Sequence, residues 1–261
     1  MIRLERVDLG YDGRLVLRDL NIAIAPGEVF GLVGPNGSGK TTLLRAISGR
    51  LSPQDGVIYL DGRRLSELAP RELARELAAL EQEISCSFDF TVREIVELGR
   101  LPHRARWQRL SQKDHEIVTR ALELTHTLEF AERPIHTLSS GERQRVWIAL
   151  ALAQEPKVLL FDEPTAHLDL NYQIEIMELI RSLATAQSLT VLVSLHDLNL
   201  ALRYADRIAL LSEGRLLAVG EPERVLTEEL IALAFHTRVR IVDGTGERYI
   251  VPVRSRQGVC P

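Results

Sequence analysis

Gly34-Pro35-Asn36-Gly37-Ser38-Gly39-Lys40-Thr41 carries the most explicit chemistry in this 261-residue chain. Glycines at this spacing let successive backbone N–H groups close around phosphate oxygens, where the N-terminus of a following helix already favours negative charge. Lys40 supplies a mobile cation for β- and γ-phosphates, and the Thr41 hydroxyl can ligate Mg²⁺. A glycine-rich connector is the plainer reading. The complete motif, with an apolar strand before it and a helical pattern after it, argues against that.

A second group of residues must say what is done to the phosphate. Val158-Leu159-Leu160-Phe161-Asp162-Glu163 places two consecutive carboxylates at the end of a buried strand. Asp162 can hold Mg²⁺ through water, which leaves Glu163 to polarise an attacking water. An isolated Asp-Glu pair is commonly a solvated strand end, but four apolar residues before it make that reading poor here. The third element, Leu138-Ser139-Ser140-Gly141-Glu142, is a capping box at a helix start. Its uncovered N–H groups and Ser hydroxyls could also bind a γ-phosphate, a reading that gains weight only from the other two motifs.

Regular elements must hold these residues in place. Val16 to Ala25 alternates apolar positions, Glu28 to Val33 reads as a buried strand, and Thr41 to Ser48 reads as a helix stopped by Gly49. From about Ile84 to Pro156 the pattern is helical, with capping residues at Thr91, Ser111 and Ser139. Beyond it, Val158–Phe161 and Thr190–Val193 are short strands flanking a helix from about Gln173 to Ala184, which implies parallel pairing through a crossover. Ile208 to Val219 reads as a hairpin around Glu213-Gly214. A short helical segment then leads to a second hairpin around Asp243-Gly244-Thr245-Gly246. The expected division is an α/β core over 1–83 and 157–221, a helical insert over 84–156 and an appendix over 222–261.

Composition narrows the class. With 45% apolar and 26% charged residues, the chain is an ordinary globular one. Its net charge of −4 argues against a dedicated nucleic-acid binder. Cys86 and Cys260 lack metal-ligand spacing and suit a reducing compartment. Met1 to Arg6 has charges where a signal peptide needs apolar residues. The longest apolar run, Val146 to Ala153, is far shorter than the roughly 18 residues that span a bilayer. A membrane role would therefore need a separate anchor.

With these motifs in order, the chain resembles the ATP-binding subunits of ABC transporters over nearly its whole length. The resemblance implies an α/β P-loop NTPase core with a mixed sheet, an antiparallel β subdomain and an inserted helical subdomain. It places Gly34 to Thr42 at the nucleotide phosphates and identifies Ser139, Ser140, Gly141 and Glu142 as the signature motif. It also makes Gln82 the Q-loop glutamine near the metal, Asp169 the D-loop aspartate, His196 the switch histidine and Tyr11 the aromatic that stacks on adenine. Taken singly, Tyr11, Gln82 and His196 would read as core, helix-end and structural residues. The other six histidines, His103 and His167 among them, read as structural or solvated. Ser140 and Glu142 depart from the commonest Leu-Ser-Gly-Gly-Gln signature, and Ser140 brings a Cβ to where backbone would meet phosphate.

Within the family, Phe90 to His103 and His196 to Ala201 are most similar to importers of iron–siderophore, haem and cobalamin-type chelates, and Ala166 to Asn171 leans towards the siderophore members. The resemblance implies ATP and Mg²⁺, a head-to-tail dimer of two copies, two separate membrane permease subunits and, indirectly, a substrate-binding protein. It implies a location at the cytoplasmic face of the membrane, with no nucleic-acid partner. The rival is an ABC-type ATPase acting on nucleic acid, ribosomes or cluster assembly, and a non-hydrolysing nucleotide sensor is disfavoured by Glu163. Ile84 to Trp107, with Phe88, Phe90, Arg100, Arg104 and Arg106, is either the groove for a permease helix or ordinary packing with solvated arginines.

Overall fold

The computed structural model describes residues 2–81, 89–105, 108–244 and 247–253. Strands β1 (Ile2–Tyr11) and β2 (Arg14–Ile24) form an antiparallel hairpin. Then come β3 (Val29–Val33), α1 (Lys40–Ile47), β4 (Asp55–Leu60), β5 (Arg63–Arg64), α2 (Pro70–Glu76) and β6 (Leu77–Leu80). The helices α3 (Val92–Glu97), α4 (Gln112–Leu124) and α5 (Ser140–Ala153) precede β7 (Val158–Asp162), α6 (Leu170–Gln187), β8 (Thr190–Leu195) and α7 (Leu198–Tyr204). The chain continues through β9 (Arg207–Ser212), β10 (Arg215–Gly220), α8 (Pro222–Val225), α9 (Glu228–Phe235), β11 (Val239–Asp243) and β12 (Arg248–Pro252).

The strands assemble into a six-stranded sheet ordered β10-β9-β3-β8-β7-β6, a four-stranded antiparallel sheet ordered β2-β1-β4-β5, and the β11–β12 hairpin. In the six-stranded sheet only the β9–β10 pair is antiparallel. This is the mixed sheet with an antiparallel β subdomain that the family resemblance implies. Successive side chains of a strand point to opposite faces. Phe30 and Leu32 of β3, with Leu160 and Leu192, therefore join α1 and the four-stranded sheet in one core. Val29 and Val33, with Phe161 and Val193, join the helices α3 to α7 in the other. Covered on both faces, these strands read as continuous apolar runs rather than as alternation.

All three capping boxes form. Thr91, Ser111 and Ser139 each accept from a backbone N–H three residues on, while Glu94, Asp114 and Glu142 reach back. Helix α6 is longer than its apolar pattern predicts, because Asp169 caps it by accepting from Tyr172 N at 3.1 Å. Strand β6 has no counterpart in the sequence reading. Leu77-Ala78-Ala79-Leu80 follows a helix and is as good a helical turn as a strand, and only its parallel pairing with β7 decides the matter. Among the described residues no helix is long and apolar enough to cross a membrane.

One expectation needs correcting. Arg100 does not belong to a solvated or docking face: it is 4% exposed. Its Nε donates to Asp114 Oδ1 at 2.9 Å, and its Nη1 donates to Ala153 O at 2.7 Å and Glu155 Oε2 at 2.9 Å. Hydrogen bonds from Ser111, joined by the Arg100 guanidinium, hold the Asp114 carboxyl well below the usual range. Arg100 thus ties the segment after α3 to the start of α4 and the end of α5. Arg100→Leu should cost about 3 kcal/mol in urea unfolding, because it strands a buried carboxylate and a helix-end carbonyl. An unfolding midpoint equal to that of the wild type would show the network to be dispensable. Phe90 remains on the surface at 37% exposure, while Phe88 and Arg106 lie outside the described residues.

Candidate nucleotide site

The loop from Gly34 to Gly39 connects the end of β3 to the start of α1. Gly34 is required by close approach: a Cβ there would stand 2.2 Å from Leu211 O and 2.7 Å from Ser38 Oγ. The Ser38 side chain is buried, and its Oγ finds no hydrogen-bond partner among the described residues. Lys40, 5% exposed, donates from Nζ to Gly34 O at 2.9 Å and Pro35 O at 3.3 Å. Burial lowers its pKa, against the opposing pull of the Glu163 and Asp162 carboxylates. A buried cation under this tension is stabilised by an anion, and a polyphosphate is the anion this loop is shaped to take.

Across from the loop stands the end of β7. In the β7–β8 register Asp162 is paired with Ser194. Ser194 Oγ donates to Asp162 Oδ1 at 2.7 Å and accepts from Glu163 N at 2.8 Å. Glu163 has left the strand conformation, with φ 52°. His196, two residues beyond Ser194, pairs through Nε2 with Glu163 Oε1. Two neighbouring carboxylates are thus gripped by two residues of the adjacent chain segment.

These groups face one another across a cleft of about 560 Å³. Asn36, Gly37, Gly39, Lys40, Thr41 and Thr42 form one wall, Glu163, Ala166, His167 and His196 the other, and Val16 also lines it. A smaller cavity of about 220 Å³ adjoins it and is bordered by Thr41, Asp162, Glu81 and Arg50. Thr41 belongs to both. A hydroxyl and a carboxylate at a shared cavity are hard oxygen donors suited to a divalent cation that takes its remaining ligands from phosphate and water. Among the described residues no group of three or more His, Cys, Asp or Glu side chains could hold a metal without such help.

Other predicted residues lie apart. Gln82 is outside the described residues; Glu81, before it, pairs with Arg50. Tyr11 ends β1 with 40% exposure, and its hydroxyl accepts from Arg45 Nη1 at 3.5 Å. Asp169 caps α6. Ser139, Ser140, Gly141 and Glu142 start α5 but do not line the cleft. Ser139 and Ser140 are exposed, whereas Gly141 packs so closely on α6 that a Cβ would lie 2.4 Å from the Tyr172 ring. The Glu142 carboxyl is held below its ordinary value by hydrogen bonds from the Ser139 backbone and hydroxyl.

Two residues that sequence reasoning passed over belong to the site. His167, read as structural or solvated, lines the cleft in a left-handed conformation with φ 60°. Nothing in its local pattern marks it. Ser194 had a faint signal, a hydroxyl inside the apolar strand Thr190–Leu195, two positions before His196.

A nucleotide-phosphate loop facing an acid pair at the end of a parallel strand, with one strand of the sheet between the two, is the arrangement expected of a P-loop ATPase, and the chain belongs to the ABC transporter family, whose profile matches residues 17–166. It is an ATPase of that family. The chain is 40% identical over 259 residues to the petrobactin import ATP-binding protein FpuC of Bacillus anthracis, covering 99% of this chain and 95% of that one. It is 39% identical over 254 residues to the ferric enterobactin transport ATP-binding protein FepC of Escherichia coli K12, covering 97% and 94%. Among solved structures, a chain of a metal-chelate type ABC transporter in an inward-facing conformation superposes with a TM-score of 0.86 at 28% identity, covering 97% of each chain. A dimeric ATP-binding cassette bound to ADP and phosphate matches with a TM-score of 0.73 at 30% identity, covering 85% of this chain and 99% of that one.

Proposed function

We propose that this ATPase powers import of a metal chelate (a ferric siderophore, haem or a corrinoid) through separate membrane permease subunits. The observation that carries the ATP chemistry is the single cleft in which Lys40 and Thr41 face Glu163 and His196. In this reading Gly34 to Thr42 bind the phosphates, with Lys40 leaving its carbonyl partners for the β- and γ-oxygens. Glu163 accepts a proton from the water that attacks the γ-phosphorus, as the bond to the ADP oxygen breaks. His196 orients the Glu163 carboxylate before nucleotide binds and turns its ring N–H to the γ-phosphate once the nucleotide is in place. Thr41, Asp162 and Gln82 would hold Mg²⁺, which neutralises phosphate charge. Tyr11 would stack on adenine.

The proposed assembly is a head-to-tail dimer at the cytoplasmic face of the membrane. Ser139 to Glu142 and Asp169 of each copy would close on the nucleotide of the other, and the permeases would receive chelate from a substrate-binding protein. The dimeric cassette among the structural matches supports this arrangement, and the names of the siderophore and cobalamin relatives support the cargo class. Deleting the gene should abolish growth on one ferric chelate or corrinoid, with rescue by the wild type and not by Lys40→Ala. The tagged protein should bring down a permease. Normal chelate uptake by the deletion strain would overturn the cargo assignment.

A further inference from the structure

We infer that Ser194 is a positioning residue for this ATPase: its one hydroxyl sets both the carboxylate of Asp162 and the backbone of Glu163. The inference rests on the roles proposed above for those two acids. Ser194 is fully buried in a strand whose other residues are Thr190, Val191, Leu192, Val193 and Leu195. A hydroxyl in such a place costs stability unless its hydrogen bonds are made, and an alanine would occupy nearly the same space without that cost. Ser194 makes two. Since Glu163 N–H fills one of its acceptor positions, at 2.8 Å, the hydroxyl proton is left for Asp162 Oδ1, at 2.7 Å.

Each bond has a separate consequence. The bond to Oδ1 commits that oxygen to Ser194 and leaves Oδ2 as the oxygen free of this bond, on a residue that borders the small cavity with Thr41. The bond from Glu163 N anchors the chain where it leaves β7 with φ 52°, a conformation uncommon for a residue with a side chain. From that anchored backbone the Glu163 carboxylate reaches His196. Without the hydroxyl, the metal-side acid would lose its rotamer lock and the base its fixed origin, although neither acid is itself altered.

The test uses the full chain with Ser194→Ala, Ser194→Cys and Ser194→Thr, each checked for its melting temperature. The readouts are steady-state ATPase kinetics and binding of a fluorescent ATP analogue in EDTA and across a Mg²⁺ titration. Ser194→Ala should lower kcat about tenfold or more with KM changed less than about twofold. It should also raise the Mg²⁺ concentration for half-maximal nucleotide binding about tenfold, with affinity in EDTA unchanged. Ser194→Cys, similar in shape but a poor donor, should behave like alanine. Ser194→Thr should restore both readouts. A wild-type kcat and Mg²⁺ titration in the alanine or cysteine variant would overturn the inference, as would a loss of rate no larger than the loss of folded protein. Glu163→Gln is assayed beside them. If it turns over normally, the site assignment has failed; if it is inactive while Ser194→Ala is normal, only the role of Ser194 has failed.

Discussion

Glu163→Gln lowers kcat by about 10²–10⁴-fold and leaves ATP bound, which is the largest single-residue effect expected in this molecule. The amide keeps the volume and the backbone anchor to Ser194 but cannot take a proton from water. Of the two acids, Asp162 has one oxygen committed to Ser194, whereas Glu163 stands in the cleft against His196. The variant should therefore accumulate with unhydrolysed ATP, measured by nucleotide content after gel filtration. His196→Ala should fall in rate by a smaller factor, because it removes the partner that aims the base and leaves the base itself. Single-turnover hydrolysis by Glu163→Gln at the wild-type rate would remove Glu163 from the chemistry and leave His196 without its proposed purpose.

Much of this site could be read from residues alone, for reasons that differ by element. The loop ending in Lys40 was legible because its glycines answer a steric demand, shown at Gly34 by the carbonyl of Leu211. The helix starts at Thr91, Ser111 and Ser139 were legible because capping is local, completed within three residues. Strand β6 was not legible, since its four apolar residues acquire their conformation from a partner strand about eighty residues away. Arg100 misled for a related reason: an arginine among surface-like residues gives no sign of the carboxylate and carbonyl that bury it. Ser194 and His167 reach the candidate site only through register and loop geometry. Register pairs Ser194 with Asp162, and the turn after Glu163 carries His167 into the cleft. Chemistry shared between strands is the part a one-dimensional pattern conveys least.

Mixing two inactive variants should restore activity, if the α5 terminus of one copy completes the cleft of another. Ser139 and Ser140 are exposed at the start of a 14-residue helix, outside the lining of the cleft, while Gly141 fixes that helix tightly against Tyr172. Such a rigid, exposed N-terminus suits phosphate brought to it from another molecule. Glu142 tempers the attraction, because its carboxylate sits at the same terminus bonded to Ser139 N at 2.7 Å. The Ser140 hydroxyl, where the commonest signature has glycine, offers a compensating donor. Lys40→Ala removes the loop's cation, and Ser139→Arg removes the cap and blocks the terminus. Each homodimer then has both sites damaged, and each should lose about 10²-fold or more in rate. A heterodimer has one intact site and one doubly damaged site, so complete exchange of equal amounts should return up to about one quarter of wild-type activity. The ATPase rate is followed during exchange, with heterodimers verified by differential tags. No recovery at full exchange would mean that both sites must fire together or that the α5 terminus does not reach the partner's nucleotide. A Ser139→Arg homodimer with near-normal hydrolysis would exclude the shared site outright.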